Sequence, residues 1–352
     1  MHRGAAMRVL QIGIAAIVLL AAGLYLAATR SETGQDAILA QALSTAMNRT
    51  LQSAPPGGLR VLMCGTSSPL PVPDRAQACI AVLAGDRLFL VDAGARSPNV
   101  ASLAGLPLAR LETILVTHFH SDHIAAIPDF NLMSWVAGRP APLQIAGPEG
   151  VERVVAGMNE AYALDRGYRV AHHGAELLPP ELGVLEARTI EPGVVLDENG
   201  LVIRAFEVDH APVAPAVGYR FDYGGRSVMI TGDTVVTPGL EAVAKDVDLL
   251  LTDALSLPIV KAMENAAREA GLLRNAKIFA DIQDYHADTA SLAAFVERAG
   301  VRTLALYHFV PAPRNTVMEN VFLRDLRADT ILTVDGMTFD LPAGSDDVLI
   351  DR

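Results

Sequence analysis

Ile114-Leu115-Val116-Thr117-His118-Phe119-His120-Ser121-Asp122-His123 is the stretch on which the reading of this chain turns. Its apolar start predicts a strand over Thr113–Thr117, and the strand delivers three imidazoles and one carboxylate to its end. His118 and His120, two positions apart, can point the same way, while Asp122 and His123 aim at a neighbouring point. The chemical reading is two cation sites sharing one loop, since neutral imidazole and carboxylate are the ligands of such sites. A polar turn with incidental histidines is the bland alternative, and it leaves the density of ligand-type residues unexplained.

One loop cannot supply all the ligands of two cations, and further candidates stand at other strand ends. His210 follows the predicted strand Leu201–Val208, Asp233 sits in Gly232-Asp233-Thr234 after Ser227–Thr231, and His308 ends Thr303–Tyr307. A carboxylate such as Asp233 has two oxygens and can bridge two cations. Other strands are expected at Arg60–Cys64, Ala78–Ala84, Arg87–Asp92, Leu143–Ala146, Val217–Phe221, Asp248–Thr252 and Lys277–Asp281. A closing hairpin, Thr330–Asp335 with Met337–Leu341, is expected to turn on Asp335-Gly336. Helices are expected at Ile124–Val136, Val151–Ala163, Pro238–Ala244, Ile259–Ala270 and Thr289–Ala299. This mixed α/β pattern suits two packed sheets with helices outside.

The chain has 352 residues, 51% apolar and 19% charged, with 28 Lys+Arg against 40 Asp+Glu and a net charge of −12. It is too apolar for a disordered chain, and an acidic surface argues against general nucleic-acid binding. Part of the apolar content is the run Val9–Ala28, long enough at about 1.5 Å per residue to match a bilayer core of ~30 Å, with Arg3 and Arg8 before it. The expected organisation is therefore a membrane anchor or signal segment over residues 1–30, a stalk over 31–58, a globular domain that carries the histidine and carboxylate cluster over 59–345 and a tail over 346–352. The positive-inside rule would then place the domain outside the cytoplasmic membrane, or release it after signal cleavage. Only Cys64 and Cys79 are present; two separately buried thiols are the favoured reading, a pair on neighbouring strands the alternative.

The set of motifs resembles the metallo-β-lactamase superfamily, in the branch shared by ribonuclease Z and arylsulfatase-like phosphodiesterases. The resemblance runs from about Leu59 to Leu341. It rests on Cys64-Gly65-Thr66 to Pro71 with Arg75, Leu90-Val91-Asp92-Ala93-Gly94, the HxHxDH loop, Gly147-Pro148-Glu149-Gly150, Val208-Asp209-His210, Gly218-Tyr219-Arg220, Gly232-Asp233-Thr234, His286 and His308. It implies an αββα sandwich of two mixed sheets with outer helices, and two Zn²⁺ per chain. His118, His120 and His210 would hold the first zinc, Asp122, His123 and His308 the second, with Asp233 bridging. Asp92 and Asp253 would orient groups around the ligands, and His286 would act as general acid beside the catalytic carboxylates Asp122 and Asp233. A hydroxide between the metals would attack phosphorus or sulfur in line.

The implied activity is cleavage of phosphodiester or aryl sulfate esters, with a lactonase or other carbonyl-ester hydrolase as the alternative. Ribonuclease Z proteins carry a protruding arm between the GYR and GDT motifs, where this chain has only Phe221–Thr231. Together with the acidity, this makes tRNA processing the weaker reading and a small anionic ester the expected substrate; a non-catalytic envelope binding protein is the alternative of another class, and a homodimer is left open. Arg166, Arg169 and His173 form a segment that could line the substrate mouth, although such runs are more often solvated loops. Trp135 reads as helix core rather than as a substrate platform, given Leu132 and Met133 beside it.

Overall fold

The computed structural model describes residues 2–48 and 50–352, except for the side chains of residues 2–13 and 16. The backbone divides into two units, Met1–Leu51 and Gln52–Arg352. The first unit consists of α1 (His2–Arg30) and α2 (Glu32–Met47), the latter capped by the Ser31 side chain, which accepts from the Gly34 N–H. Residues 9–13 and 16 of the expected anchor lie outside the described side chains. Among the described residues no helix is long and apolar enough to cross a membrane. The expected anchoring, and with it the placement of the catalytic domain beyond the inner membrane, is corrected accordingly.

The second unit contains two sheets. In chain order the strands are β1 (Leu59–Gly65), β2 (Cys79–Ala84), β3 (Arg87–Val91), β4 (Leu111–Leu115), β5 (Leu143–Gly147), β6 (Leu185–Thr189), β7 (Gly193–Glu198), β8 (Leu201–Glu207), β9 (Val217–Tyr223), β10 (Arg226–Ile230), β11 (Leu249–Leu255), β12 (Thr303–Val310), β13 (Ile331–Leu332), β14 (Thr338–Leu341) and β15 (Leu349–Asp351). One sheet has the order β15-β14-β1-β2-β3-β4-β5-β6, the other β13-β12-β11-β10-β9-β8-β7. The helices are α3 (Ser97–Ala104), α4 (Ser121–Ile124), α5 (Ile127–Val136), α6 (Val151–Ala161), α7 (Ala163–His173), α8 (Pro238–Val243), α9 (Leu257–Glu269), α10 (Leu273–Asp281), α11 (Thr289–Ala299) and α12 (Thr316–Leu323).

The period of two in the strands sorts their side chains into layers. Leu59, Val61 and Met63 of β1 join Phe89, Tyr219, Phe221 and Tyr307 in the core between the sheets. The alternate residues Leu62 and Cys64 face outward onto Ile127 and Phe130 of α5 and Val151 of α6. On the far side of the second sheet, Leu250 and Leu304 pack on Leu292 and Phe295 of α11. Four layers result, helix–sheet–sheet–helix, and each fully buried large apolar side chain contributes about 1.5–3 kcal/mol.

Several local expectations are revised. Cys64 and Cys79 form a disulfide, with Cα atoms 5.0 Å apart, rather than two separate thiols. The pairing of β1 with β2 shifts between Met63 and Gly65, so the two cysteines stand side by side on neighbouring strands. Lys277–Asp281 is the end of α10 and not a strand, with Ala276 buried and Ile278 exposed; a short apolar run alone does not separate the two periods. The expected closing hairpin is absent: β13 pairs with β12 in one sheet and β14 with β1 in the other. The Asp335 carboxylate accepts from the Thr66 hydroxyl at 2.7 Å and the Ala76 N–H at 2.5 Å, which pins the crossover to the first sheet. The last residues, expected as a tail, include β15 paired with β14.

Candidate metal centre

The His118–His123 segment leaves the first sheet beyond β4 and winds into α4, for which His120 is the residue before the first turn. Asp92, just past β3 with φ 61°, fixes that segment from behind. One carboxylate oxygen accepts from the Thr117 N–H at 2.8 Å, the other from the Thr117 hydroxyl at 2.9 Å, and the second also lies 2.7 Å from His123 Nδ1. That last contact leaves His123 Nε2 as the ring atom facing inward. Gly232 comes so close that a Cβ there would lie 2.9 Å from the Thr117 side chain, at φ 66°, so the turn that carries Asp233 requires glycine.

The second sheet brings the remaining groups. His210 follows β8 and donates its Nδ1–H to the Tyr285 carbonyl at 2.8 Å, since a carbonyl can only accept, and its Nε2 lone pair is left free. β12 does not end at His308, as expected, but runs through it to Val310. Asp253 is opposite Tyr307 and Ala254 opposite Phe309, so His308 is the extra residue of a bulge, with φ 44°. The bulge turns its imidazole into the cluster.

These residues converge. His118, His120, His210 and Asp233 present ligand atoms within 4.8 Å of one another, and so do Asp122, His123 and His308. His118 Nε2 is 2.9 Å from His120 Nδ1, and His123 Nε2 is 3.3 Å from His308 Nε2. Asp233 lies between the groups, with Oδ2 at 3.7 Å from His210 Nε2 and Oδ1 at 3.5 Å from His123 Nε2. His210 Nε2, Asp233 Oδ1 and His308 Nδ1 are all buried without a hydrogen-bond partner. Unpartnered buried lone pairs are costly unless something else satisfies them, and a cation would satisfy all three. The donor set therefore fits metal ions.

The electrostatics agree. Burial, reinforced for His118 by His123, pushes His118 well below its ordinary pKa and His210 down to about 4, keeping both rings neutral as ligands must be. Burial alone would raise Asp233, but His308 and His123 outweigh it and hold the carboxyl well below its usual range. Burial also opposes protonation of His123, yet Asp233 and Asp92 outweigh it and raise the ring well above its ordinary value. In this state a proton on His123 balances charge that a cation would balance when bound.

His286 and Asp253 form a third group with Asp233 and His308. Here His286 Nδ1 and Asp253 Oδ2 lie 2.9 Å apart and satisfy each other, so this pair is better placed to position an imidazole than to hold an ion. Tyr285 went unnoticed in the sequence. Its ring stacks on His210 with centroids 4.6 Å apart and lies 4.5 Å from the His286 ring. An aromatic residue next to His286 was its only signal. Arg166, Arg169 and His173 are not brought to the cluster by any contact: they sit on α7, where Arg169 pairs with Asp165 at 2.8 Å and Arg166 lies against Gly183. Trp135 is buried and donates to the Pro179 carbonyl at 3.0 Å.

The family model described as "Metallo-beta-lactamase superfamily" matches residues 72–281. The chain belongs to this superfamily. Ribonuclease Z of Mycobacterium marinum is 38% identical over 257 residues, which cover 72% of this chain and 87% of that protein. Among solved structures, the metallo-beta-lactamase fold protein YhfI from Bacillus subtilis superposes with a TM-score of 0.59 at 16% identity, covering 80% of this chain and 98% of that one. Human tRNase Z, short form, gives 0.57 at 21% identity, covering 80% and 99%. As a superfamily member with ribonuclease Z homologues, the protein is a metal-dependent hydrolase.

Proposed function

We propose that this superfamily member hydrolyses phosphodiester bonds with two Zn²⁺ ions, held by His118, His120 and His210 on one side and Asp122, His123 and His308 on the other, with Asp233 between them. The observation that carries the reading is the convergence of these ligand atoms within 4.8 Å, several of them buried and unpartnered. Imidazole and carboxylate donors suit zinc, and the ions, when bound, make water nucleophilic near neutral pH and take up charge on the ester's oxygens.

The chain's own residues do the rest. Asp122 and Asp233 supply the negative charge that balances the ions and accept hydrogen bonds from the attacking water. Asp253 fixes His286 through Nδ1, leaving Nε2 to carry the proton to the departing oxygen. Asp92 and Thr117 hold the loop histidines in place. The substrate is a small anionic ester: β9 and β10 are joined by a tight turn at Gly224-Gly225 with no arm, and the net charge of −12 disfavours a large polyanion. The ribonuclease Z relatives favour a second reading, cleavage of an RNA phosphodiester by the same groups.

A panel of bis(4-nitrophenyl) phosphate, 4-nitrophenyl sulfate, a homoserine lactone, nitrocefin and a precursor tRNA, offered to the zinc-loaded full chain, tests this. Turnover of the phosphodiester, lost in His120→Ala, is expected. Turnover of the lactone alone, or no bound metal by elemental analysis, would sink the proposal, and turnover of the tRNA alone would select the second reading.

A further inference from the structure

Near the loop of the candidate centre, α6 presents an apolar stripe that is only partly covered, with Met158 and the neighbouring Phe119 packed in part on the outer core. Val151 and Val155 are buried beneath the helix, while Val154, Gly157, Met158 and Ala161, spaced as one helical face, line an open groove of about 560 Å³. Phe119 forms its inner wall, with Gly150 against the Phe119 ring. Phe119 stands in the chain between His118 and His120, so the groove begins one residue from the metal-ligand cluster. Tyr162, 44% exposed, closes the far end, and Arg153, exposed and without an ion pair among the described residues, stands on the rim.

From this groove we infer a subsite for the aromatic arm of the phosphodiester that stays on the product; the inference rests on the phosphodiesterase reading above. The placement follows from the order of rings across the centre. His120 lies 5.4 Å from His210, and His210 lies 5.4 Å from His286, measured between centroids. His286, the proton donor to the leaving oxygen, thus has His210 between it and His120, and His308 between it and His123 (5.5 and 5.0 Å), so a ring stands on either route to the loop that carries Phe119. In-line displacement sets the leaving group opposite the attacking water, and the arm kept by phosphorus projects to the side. An aromatic arm there meets the faces of Phe119 and Tyr162 over a floor of small residues, and Arg153 complements the anionic ester. Stacking of this kind is tolerant of which ring is bound, so a nucleobase or a phenyl ring fits the same groove.

Gly157 makes the inference testable. A Cβ at this position meets nothing within 4 Å, so Gly157→Phe fills the groove without a clash, and a non-glycine residue favours the helix. Gly157→Ala serves as the folding control. Two ligand pairs are compared on the zinc-loaded full chain. Turnover is measured with bis(4-nitrophenyl) phosphate and methyl 4-nitrophenyl phosphate, which share a leaving group and differ in the retained arm. Calorimetric binding is measured with diphenyl and dimethyl phosphate. The wild type and Gly157→Ala should prefer the aromatic member of each pair by about tenfold or more, and Gly157→Phe should bring both ratios close to one. Equal treatment of both members by the wild type, or ratios unmoved in Gly157→Phe, overturns the subsite. If neither ester is hydrolysed yet the binding preference exists and disappears in Gly157→Phe, the phosphodiesterase reading fails and the subsite stands.

Discussion

Strand β10 carries a buried ionic group at each end, and the two are built in opposite ways. At its start, Arg226 donates to Asp248 at 3.1 Å and to the carbonyls of Pro342, Asp346 and Asp347, while Asp248 also accepts from the Ser227 N–H and from Arg302. Both oxygens of the carboxylate are used. Beyond its end, Asp233 is as inaccessible as Asp248 (2% and 4% exposed), yet its Oδ1, like His210 Nε2 and His308 Nδ1 around it, makes no hydrogen bond and has only loose histidine–carboxylate contacts of 3.3–3.7 Å. A fully satisfied buried pair rigidifies the fold around it, and removing one partner is costly. An unsatisfied one persists only where the stability of the rest tolerates it for the sake of a ligand.

The largest effect is expected where the groups are unsatisfied. Asp233→Ala should lower kcat/KM on the phosphodiester by ~10³-fold or more, several kcal/mol of lost transition-state stabilisation. Zinc should raise the Tm of the wild type, because it binds the folded form, and should raise that of Asp233→Ala much less. Equal zinc-induced shifts in the two proteins, read by scanning calorimetry, would break the comparison. At the other end, Asp248→Ala should cost about 3–5 kcal/mol by leaving Arg226 buried and uncompensated. Urea unfolding should show that loss with and without zinc. A cost confined to the zinc-loaded protein would mean that the two ends are coupled.

A third change asks how the site end is held where hydrogen bonds are lacking. The Cys64–Cys79 disulfide closes a separation of 15 residues next to the metal-ligand loop, and Gly94, after β3, donates to Ala78 within the same corner. Replacing both cysteines by serine should cost about 3 kcal/mol in the chain-entropy account, with zinc stoichiometry retained. Loss of zinc by the double variant, measured by elemental analysis, would show that the cross-link shapes the centre as well as stabilising the fold.

How much of this was legible follows from which residues carry local signals. His118, His120, Asp122 and His123 announce themselves because one loop concentrates them, and Gly232-Asp233-Thr234 because it follows an apolar strand. The sheet order was not legible, since the route from β13 to β14 is set by Asp335 reaching Thr66 and Ala76, a contact between residues more than 250 positions apart. Asp335-Gly336 has the composition of a hairpin turn and serves instead as a crossing between sheets. The disulfide was illegible for a related reason, because it depends on a register shift at Met63–Gly65 that no composition encodes. Tyr285 was missed because its part is played by its carbonyl and ring face, neither of which marks the sequence.

The smallest expected effect bears on the substrate mouth. The sequence places Arg166, Arg169 and His173 near an anionic substrate, and a loop there would have been free to swing toward the ions. The structure makes the segment helical instead, and a helix fixes each side chain to one direction. Arg169 faces Asp165 one turn earlier, both partly exposed, in a pair of the kind that contributes about 0.3–0.5 kcal/mol. Arg169→Ala should therefore change stability by less than about 0.5 kcal/mol and leave KM for the phosphodiester within roughly twofold of the wild type. A tenfold rise in KM with unchanged kcat would mean that α7 swings over the centre in the substrate complex. Substrate entry to the buried, unsatisfied end of β10 would then be governed by a mobile helix rather than by open grooves such as the one along α6.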